Sequence, residues 1–218
     1  MYITWLGHSC FKIQTKPQKD SDEITVITDP YDRATGLRLP RTTAQIVTVS
    51  HSHHDHNFID GVSGEPFVIN QVGEYEVRQI FIYGLASFHD KNQGQDLGKN
   101  IIYKIQSEGL TIAHLGDLGH PLDNGLLEKL EGTDILFVPV GGEATLSGKQ
   151  AAEIVAQIEP RIVIPMHYKI PGLTIKLDTA DGFLREMGAS KKEVQEKLKI
   201  TQKDLPAEKT QVVLLAKK

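Results

Sequence analysis

The chain has 218 residues, and its 24 lysines and arginines against 28 aspartates and glutamates give a formal net charge of -4. This length predicts one domain over residues 1–218 with a core that needs no disulfides, and the single cysteine, Cys10, excludes an internal disulfide and a cysteine-built zinc site. The mild negative charge argues against a nucleic-acid partner, and the lack of a long apolar run or a signal-peptide start predicts no membrane partner and a cytoplasmic location.

Short strands are predicted throughout the first half of the chain, which is rich in β-branched residues. They are Tyr2–Leu6, Cys10–Thr15, Glu23–Thr28, Ala44–Ser50, Phe67–Asn70, Gln79–Leu85, Lys99–Ser107 and Leu110–Leu115. Glu108-Gly109 lies between the last two strands and is typical of a tight hairpin turn.

Strands alternate with helices in the second half of the chain. Asp134–Pro139 and Arg161–Met166 predict strands, and Gln211–Ala216 predicts a last strand at the edge of a sheet. Between the first two, Ser147 and Gln150 form a predicted capping box for a helix with an apolar stripe. Strands first and strand–helix units later predict an α/β (α+β) fold in which two sheets lie between layers of helices.

Two further helix signals occur nearer the carboxyl terminus. Thr179 is predicted to cap a helix that ends near Gly188, and Ser190 with Glu193 to form a second capping box. The mixed charges of Lys191–Lys203 are typical of the solvated face of a helix.

Four of the nine histidines lie in one short segment, His51-Ser52-His53-His54-Asp55-His56. In extended backbone His51 and His53 point the same way and can bind one ion, and after a turn Asp55 and His56 can reach a second. Neutral imidazole and carboxylate ligands suit Zn²⁺, with Mn²⁺ or Fe as alternatives. The competing interpretation is a polar loop of exposed histidines that binds metal only loosely.

Three other residues of the kinds that bind metals follow predicted strands: His89, Asp117 and His167. Loops at strand ends commonly converge into one site on a sheet scaffold. Their positions therefore favour a complete metal site over an exposed polar loop.

In this order the motifs resemble those of the metallo-β-lactamase superfamily. The five matches are Thr28-Asp29-Pro30, the segment His51–His56, His89, Gly116-Asp117 and His167. Four more segments are similar to the branch of small metal-dependent hydrolases that includes L-ascorbate-6-phosphate lactonase. They are Trp5-Leu6-Gly7-His8-Ser9, Gly73-Glu74-Tyr75-Glu76, Pro139-Val140-Gly141-Gly142 and Ile164-Pro165-Met166-His167-Tyr168.

The resemblance implies a four-layer αββα sandwich with two metal ions at one edge. It implies that the first ion is bound by His51, His53 and His89. It implies that the second is bound by Asp55, His56 and His167, and that Asp117 bridges the two.

Several residues near these motifs have both a structural and a functional interpretation. Asp29 is either a turn residue or an acceptor that orients a ligand imidazole. His8 is either structural within its hairpin or a substrate contact. His54 is predicted to point into solvent.

The remaining candidates lie in the second half of the chain. Gly142 is either part of a tight turn or a backbone approach to substrate. Tyr168 either supports a developing oxyanion or packs. His114 and His120 flank Asp117, and one of them is a candidate substrate contact.

The resemblance implies hydrolysis by a hydroxide held between two divalent ions, with Asp55 receiving or relaying the proton. The predicted substrate is a small molecule: an ester, a lactone or a phosphate-bearing metabolite. Two alternatives stay open. One is a phosphodiesterase or nuclease of the same superfamily, against which the lack of a basic patch counts, and the other is a non-catalytic metal-binding protein.

Overall fold

The computed structural model describes residues 1–18, 20–189 and 193–218. The α-helices in these ranges are α1 Asn124–Leu130, α2 Gly148–Ile158 and α3 Asp181–Glu186. The strands are β1 Tyr2–Gly7, β2 Cys10–Thr15, β3 Ile24–Thr28, β4 Thr42–Thr43, β5 Ile46–Thr48, β6 Val62–Ser63, β7 Phe67–Ile69, β8 Gly73–Val77, β9 Ile80–Phe88, β10 Lys99–Ser107, β11 Leu110–His114, β12 Ile135–Pro139, β13 Ile162–Met166, β14 Val194–Gln195, β15 Leu198–Lys199, β16 Gln211–Val212 and β17 Leu214–Leu215.

These strands form two large sheets. The first has the spatial order β15-β1-β2-β3-β5-β7, and the second has the order β16-β13-β12-β11-β10-β9-β8. Strands β3, β5 and β7 run parallel in the first sheet, as do β11, β12, β13 and β16 in the second. The carboxyl ends of these parallel strands therefore lie at a common edge within each sheet, where loops that bind ligands commonly converge.

The largest apolar core lies between the two sheets. Phe11 of β2 stacks on Phe137 of β12 with ring centroids 4.0 Å apart. The hydroxyl of Tyr103 in β10 lies 2.8 Å from the carbonyl oxygens of Val49 and Ile69, which follow β5 and end β7. Because these contacts join the sheets face to face, they fix the loops of one sheet relative to those of the other.

The outer face of the second sheet is covered by the three helices. Helix α2 buries Ala151, Ile154 and Val155, which is the stripe that the sequence pattern predicts. The predicted capping box is present, since the Ser147 side chain accepts a hydrogen bond from the Gln150 backbone and the Gln150 side chain accepts one from the Ser147 backbone. Helix α2 therefore begins and packs as its sequence indicates.

The outer face of the first sheet carries short 3₁₀ helices and irregular segments in the part of the chain that is described. The 3₁₀ helices are Arg33–Thr35 and Ile59–Gly61. Tyr31, Leu37 and Leu173 pack there against apolar residues of β2, β3 and β5. The two-sheet architecture is thus confirmed, with the α-helices concentrated on the second sheet.

The predicted strands of the first half are present, with ends that shift by a few residues. The Glu108-Gly109 hairpin is present too, and both residues have the positive φ angles (55° and 71°) that tight hairpin turns favour. The predicted strand Gln79–Leu85 is too short, because β9 continues to Phe88. His89 therefore directly follows the end of β9. Strand β8 was not predicted from the sequence, and it pairs with β9 as a hairpin.

The predicted helix face over Lys191–Lys203 is wrong, whereas the helix predicted after Thr179 is present as α3. Within the residues described, Lys191–Lys203 contains strands β14 and β15 and the start of the 3₁₀ helix Gln202–Asp204. At β15, Leu198 and Ile200 are buried and Lys199 between them is exposed, a pattern of period two that is typical of a strand. Ser190 lies outside the described residues, and the predicted capping box with Glu193 lies outside them with it.

Two smaller corrections concern neighbouring elements. Ala180, not Thr179, is the N-cap of α3, although the Thr179 hydroxyl does accept a hydrogen bond from the Asp181 backbone. The predicted last strand Gln211–Ala216 is split into β16, at the edge of the second sheet, and β17, which pairs with β14. Within the described ranges, no helix has the length and apolar character needed to cross a membrane.

Candidate metal centre

Six strands end at one edge of the molecule, and a predicted site residue or segment follows each of them. The first sheet contributes His8 after β1, Asp29 after β3 and the segment 51–56 after β5. The second sheet contributes His89 after β9, Asp117 after β11 and His167 after β13. The facing sheets thus bring residues from distant parts of the sequence together.

Sharp backbone turns mark three of these strand ends. His8, Asp29 and His167 have φ angles of 53°, 38° and 52°, in the left-handed region that residues other than glycine rarely adopt. Such a conformation costs about 1–3 kcal/mol and persists where the surrounding structure imposes it. The backbone is held by hydrogen bonds to the His8 carbonyl, which accepts from the His167 N–H (3.2 Å) and the Trp5 indole N–H (2.9 Å).

The buried carboxylate of Asp117 is the centre of the cluster. Its Oδ2 lies 3.1 Å from His167 Nε2 and 3.2 Å from both His56 Nε2 and His89 Nε2, and it lies 3.9 Å from His51 Nε2. Burial acts to raise the pKa of Asp117, but the nearby His167 and His56 hold that pKa well below its ordinary value. One carboxylate oxygen therefore faces imidazole nitrogens from several separate loops.

The Asp117 loop is fixed by a buried amide. Asn100 Oδ1 accepts a hydrogen bond from the Asp117 N–H (3.0 Å), and Asn100 Nδ2 donates to the Leu115 carbonyl (2.9 Å). Gly116 has a φ of 56°, and a Cβ there would lie 2.3 Å from Asn100 Oδ1. Glycine before the aspartate is therefore required for this close approach.

Asp29 determines which nitrogen two of the histidines present. It accepts hydrogen bonds from His56 Nδ1 (2.9 Å) and from the Ser50 hydroxyl (2.6 Å), and that hydroxyl in turn accepts from His51 Nδ1 (2.9 Å). Both Nδ1 atoms therefore carry hydrogens, and in the neutral form of each ring the lone pair is at Nε2, facing the cluster. Burial acts to lower the pKa of His56, but Asp117 and Asp29 raise that pKa well above its ordinary value.

His51, His53 and His89 form a group of their own. His51 Nε2 lies 3.1 Å from His53 Nδ1. His53 therefore faces the group with Nδ1, whereas His51 faces it with Nε2. His89 donates from Nδ1 to the Ala144 carbonyl (3.1 Å), which leaves its Nε2 for the cluster. Burial and the neighbouring His56 lower the pKa of His51 to about 3, so this ring is neutral at pH 7 and its lone pair is available.

His8 enters the cluster from the turn after β1. Its Nε2 lies 3.1 Å from Asp55 Oδ2 and 3.2 Å from His56 Nε2. Burial, reinforced by the nearby His167, lowers the pKa of His8 to about 4. Although burial acts to raise the pKa of Asp55, the contact with His8 lowers it, so Asp55 is a carboxylate at neutral pH.

The two histidines that flank Asp117 bond to the backbone. His114 donates from Nε2 to the Ser9 carbonyl (2.8 Å) and accepts at Nδ1 from the Gly116 N–H (3.1 Å). It thereby ties the loop after β1 to the loop that carries Asp117. His120 accepts at Nε2 from the Phe88 N–H (3.1 Å), next to His89, and donates from Nδ1 to the Pro121 carbonyl.

The last three predicted residues lie outside the cluster. Gly142 forms a turn in which its N–H donates to the Leu146 carbonyl (3.0 Å) and its φ is 63°. Tyr168 stacks on Trp5 with ring centroids 5.1 Å apart, and burial raises the pKa of Tyr168 to about 12. His54 is exposed beside Asp32, as the sequence pattern predicts.

Two residues of the site are not among those predicted from the sequence. Ser50 links Asp29 to His51, and its only sequence signal is a hydroxyl residue directly before the histidine segment. Asn100 orients Asp117 from β10, an interior strand of the second sheet, and a buried asparagine in a strand rich in apolar residues is the signal that marks it.

The donor set fits a divalent cation centre. Three groups of residues each offer ligand atoms that lie within 4.8 Å of one another: His8, Asp55, His56 and His167; His51, His53 and His89; His51, His56 and Asp117. Among the described residues, the buried atoms Asp117 Oδ1, His8 Nδ1 and His167 Nδ1 also have no hydrogen-bond partner. Converging lone pairs and an unsatisfied buried carboxylate oxygen are what a bound cation would neutralise.

Comparisons with known proteins identify the family of the chain. The sequence profile of the beta-lactamase superfamily domain matches residues 2–167. A UPF0173 protein from Pyrococcus abyssi is 30% identical over 211 residues, which cover 86% of this chain and 90% of that protein. A protein named a UPF0173 metal-dependent hydrolase, from Carboxydothermus hydrogenoformans, is 27% identical over 194 residues, covering 77% and 84%.

Among solved structures, a proposed Zn-dependent hydrolase of the metallo-β-lactamase superfamily from Thermotoga maritima superposes with a TM-score of 0.77. It is 34% identical and covers 98% of this chain and 97% of its own. An isothiocyanate hydrolase from Delia radicum gut bacteria has a TM-score of 0.69, covering 92% and 99%. Its identity is 14%, so the likeness is one of fold.

Proposed function

This chain belongs to the metallo-β-lactamase superfamily, and we propose that it is a metal-dependent hydrolase that cleaves a small ester, lactone or phosphate-bearing metabolite. The observation that carries the proposal is the position of Asp117 Oδ2, which faces the Nε2 atoms of His56, His89 and His167 from three different loops. The names of its relatives as metal-dependent hydrolases support the same assignment.

We assign the ligands to two ions, with Zn²⁺ preferred and Mn²⁺ or Fe as alternatives. The first set is His51 Nε2, His53 Nδ1 and His89 Nε2. The second set includes Asp55, His56 Nε2 and His167 Nε2, and Asp117 lies between the two sets. Asp29, Ser50 and Ala144 accept hydrogen bonds from the Nδ1 atoms of His56, His51 and His89. These bonds support the assignment because they direct the Nε2 lone pairs inward.

Two bound divalent ions would supply a nucleophilic water of lowered pKa and would polarise the bond to be cleaved. Asp55 is placed to take up the proton that this water loses, because its carboxylate is ionised at neutral pH and its side chain retains 15% exposure at the cluster. Asp29 keeps His56 in the required tautomer.

A cavity of about 630 Å³ borders the first ligand set at His51, and the neighbouring Ser52 also lines it. This volume is typical of sites for small molecules. Its lining is largely apolar, with Lys99 as its one cation among the described residues. We propose that the body of the substrate lies here and that Lys99 faces an anionic group on it.

A nuclease or phosphodiesterase activity is the second candidate. A lining with one lysine is poorly suited to a polynucleotide, whose binding draws on several basic residues. Cleavage of bis(p-nitrophenyl) phosphate or RNA at rates above those for esters and lactones would reverse this preference.

The test is removal and replacement of the metal. The chain is stripped with a chelator, reloaded with Zn²⁺ or Mn²⁺, and assayed with ester, lactone and phosphodiester substrates. We expect turnover only after reloading, and absence of metal-dependent turnover in all three classes would overturn the proposal.

Asp55→Ala separates an enzyme from a non-catalytic metal protein. In an enzyme this variant loses activity while it keeps its fold. In a protein that uses the metal only for structure, the same variant mainly loses thermal stability.

A further inference from the structure

His8 lies where a fourth protein ligand of the second ion would lie. One ligand atom each from His8, Asp55, His56 and His167 falls within a common 4.8 Å limit. His8 is fully buried, so its ring has no access to a substrate in solvent except through the cluster itself. The side chain is therefore part of the centre, and its role is set by the atoms that it faces.

The spacing of nitrogen atoms matches that of a ligand pair. His8 Nε2 and His56 Nε2 are 3.2 Å apart, and His51 Nε2 and His53 Nδ1 in the first set are 3.1 Å apart. Two nitrogens bound to one Zn²⁺ at about 2.0–2.1 Å are separated by about 2.9–3.4 Å, depending on the coordination geometry. Both pairs fall within this interval.

The backbone holds the His8 ring in this position. Gly7 and His8 both have positive φ angles, 110° and 53°, at the turn between β1 and β2. The His8 carbonyl accepts hydrogen bonds from Trp5 and from the backbone of His167, which is itself a proposed ligand. A strained residue tied directly to a ligand residue is the arrangement expected of a preorganised metal site.

We infer that His8 binds the second ion together with Asp55, His56 and His167. The inference rests on the proposed metal-dependent function. It makes the two positions unequal: the second has four protein ligands besides Asp117, all largely buried, whereas the first has three, of which His53 is exposed. A position with more ligands binds its ion more tightly, and the position with open coordination sites receives substrate.

The test compares His8→Gln and His8→Phe with the matched control His54→Gln, which removes the exposed histidine of the same region. Each apo protein is titrated with Zn²⁺ by calorimetry, and bound zinc is counted after gel filtration. We expect both His8 variants to weaken the tighter binding step at least about 10-fold while the weaker step and the control are unchanged. The Co²⁺ absorption spectrum should change in the same two variants.

Other outcomes overturn the inference. If His8→Gln binds like the wild type and only His8→Phe is weakened, His8 acts by donating a hydrogen bond to Asp55, which glutamine can preserve. A wild-type chain that binds no metal would overturn the proposed function as well, whereas two bound ions with unaffected His8 variants would overturn this inference alone.

Variants that fail to fold are covered by a measurement on the wild type. In protein labelled with ¹⁵N at histidine, zinc shifts the ring nitrogen resonance of each ligand. A His8 Nε2 resonance that does not move on loading would contradict the assignment.

Discussion

The two edges at which the strands end differ in how the polar groups there are hydrogen-bonded. At the site edge, buried polar atoms of His8, Ser9, Asp117 and His167 are without partners among the described residues. At the opposite edge, Glu108 accepts hydrogen bonds from the Met1 ammonium group (2.8 Å), the Thr15 hydroxyl (2.7 Å) and the Lys16 N–H (2.7 Å). One edge satisfies its charges internally, and the other leaves buried polar atoms unsatisfied, among them a carboxylate oxygen of Asp117 that a cation can use.

The difference indicates that one edge contributes mainly to stability and the other mainly to the candidate metal centre. The edge with Glu108 contributes to stability from the protein's own atoms. The site edge carries strained backbone and uncompensated lone pairs, features that reduce stability and are typical of functional sites. Substitutions at the two edges should therefore affect different measurements.

Asp117→Asn should have the largest effect. Removing the charge of the carboxylate that faces both proposed ligand sets should weaken metal binding at least about 100-fold, beyond the loss seen when a residue that only orients a ligand is removed. The rise in Tm that zinc gives the wild type should disappear with it. Metal content and Tm with and without zinc measure both effects, and a variant that retains two ions would contradict the contrast between the edges.

Asp29→Asn should have an intermediate effect. The asparagine side chain has a single acceptor oxygen for the Ser50 and His56 hydrogen bonds that the two carboxylate oxygens of Asp29 accept, so the orientation of His56 is weakened but not lost. We expect a loss of metal affinity of about 10–100-fold. Zinc titration in competition with a chelator measures it, and an affinity equal to that of the wild type would show that Asp29 serves only the turn.

Glu108→Gln should lower stability and leave metal binding unchanged. Although burial acts to raise the pKa of Glu108, hydrogen bonds from Met1 and Lys16 hold it below its ordinary value. The carboxylate's contribution is therefore present above the unfolded pKa and is lost as the pH falls through the lower folded pKa. We expect a loss of about 1 kcal/mol at pH 7, allowing for partial exposure.

The pH dependence provides the check on Glu108. Urea unfolding of the untagged apo protein and its variant should differ at pH 7 and converge below about pH 4. A difference that stays constant down to about pH 3 would mean that the charge of Glu108 contributes nothing.

His54→Gln should have the smallest effect. The His54 side chain is 61% exposed and pairs with Asp32 among the described residues, so the free energy of unfolding should change by less than about 0.5 kcal/mol. Metal binding and activity should also equal those of the wild type. A large loss in either would mean that the non-ligand histidine of the segment has been misassigned.

The parts of the site that could be predicted from sequence are those encoded locally. The spacing of His51, His53 and His56 is a local pattern, and His89 and His167 each directly follow an apolar strand. Helix α2 was also predictable, because its cap and apolar stripe lie within a dozen residues.

The parts that could not be predicted depend on contacts between distant segments. His8 meets Asp55 across 47 positions of sequence, and Asn100 meets Asp117 only because their strands pair through β10 and β11. Strand β15 is two residues long, too short for an alternating pattern to show, and it forms by pairing with β1. Without that partner, the lysines of the segment Lys191–Lys203 look like the face of a helix.

Trp5 gives the turn at His8 one more consequence. It is the single tryptophan of the chain, and its indole both donates to the His8 carbonyl and stacks on Tyr168, the residue after His167. The protein thus carries one intrinsic fluorophore beside two of its candidate ligands. Binding of paramagnetic Mn²⁺ or Co²⁺ should quench its emission, so that loading of the centre can be followed in real time without any attached label.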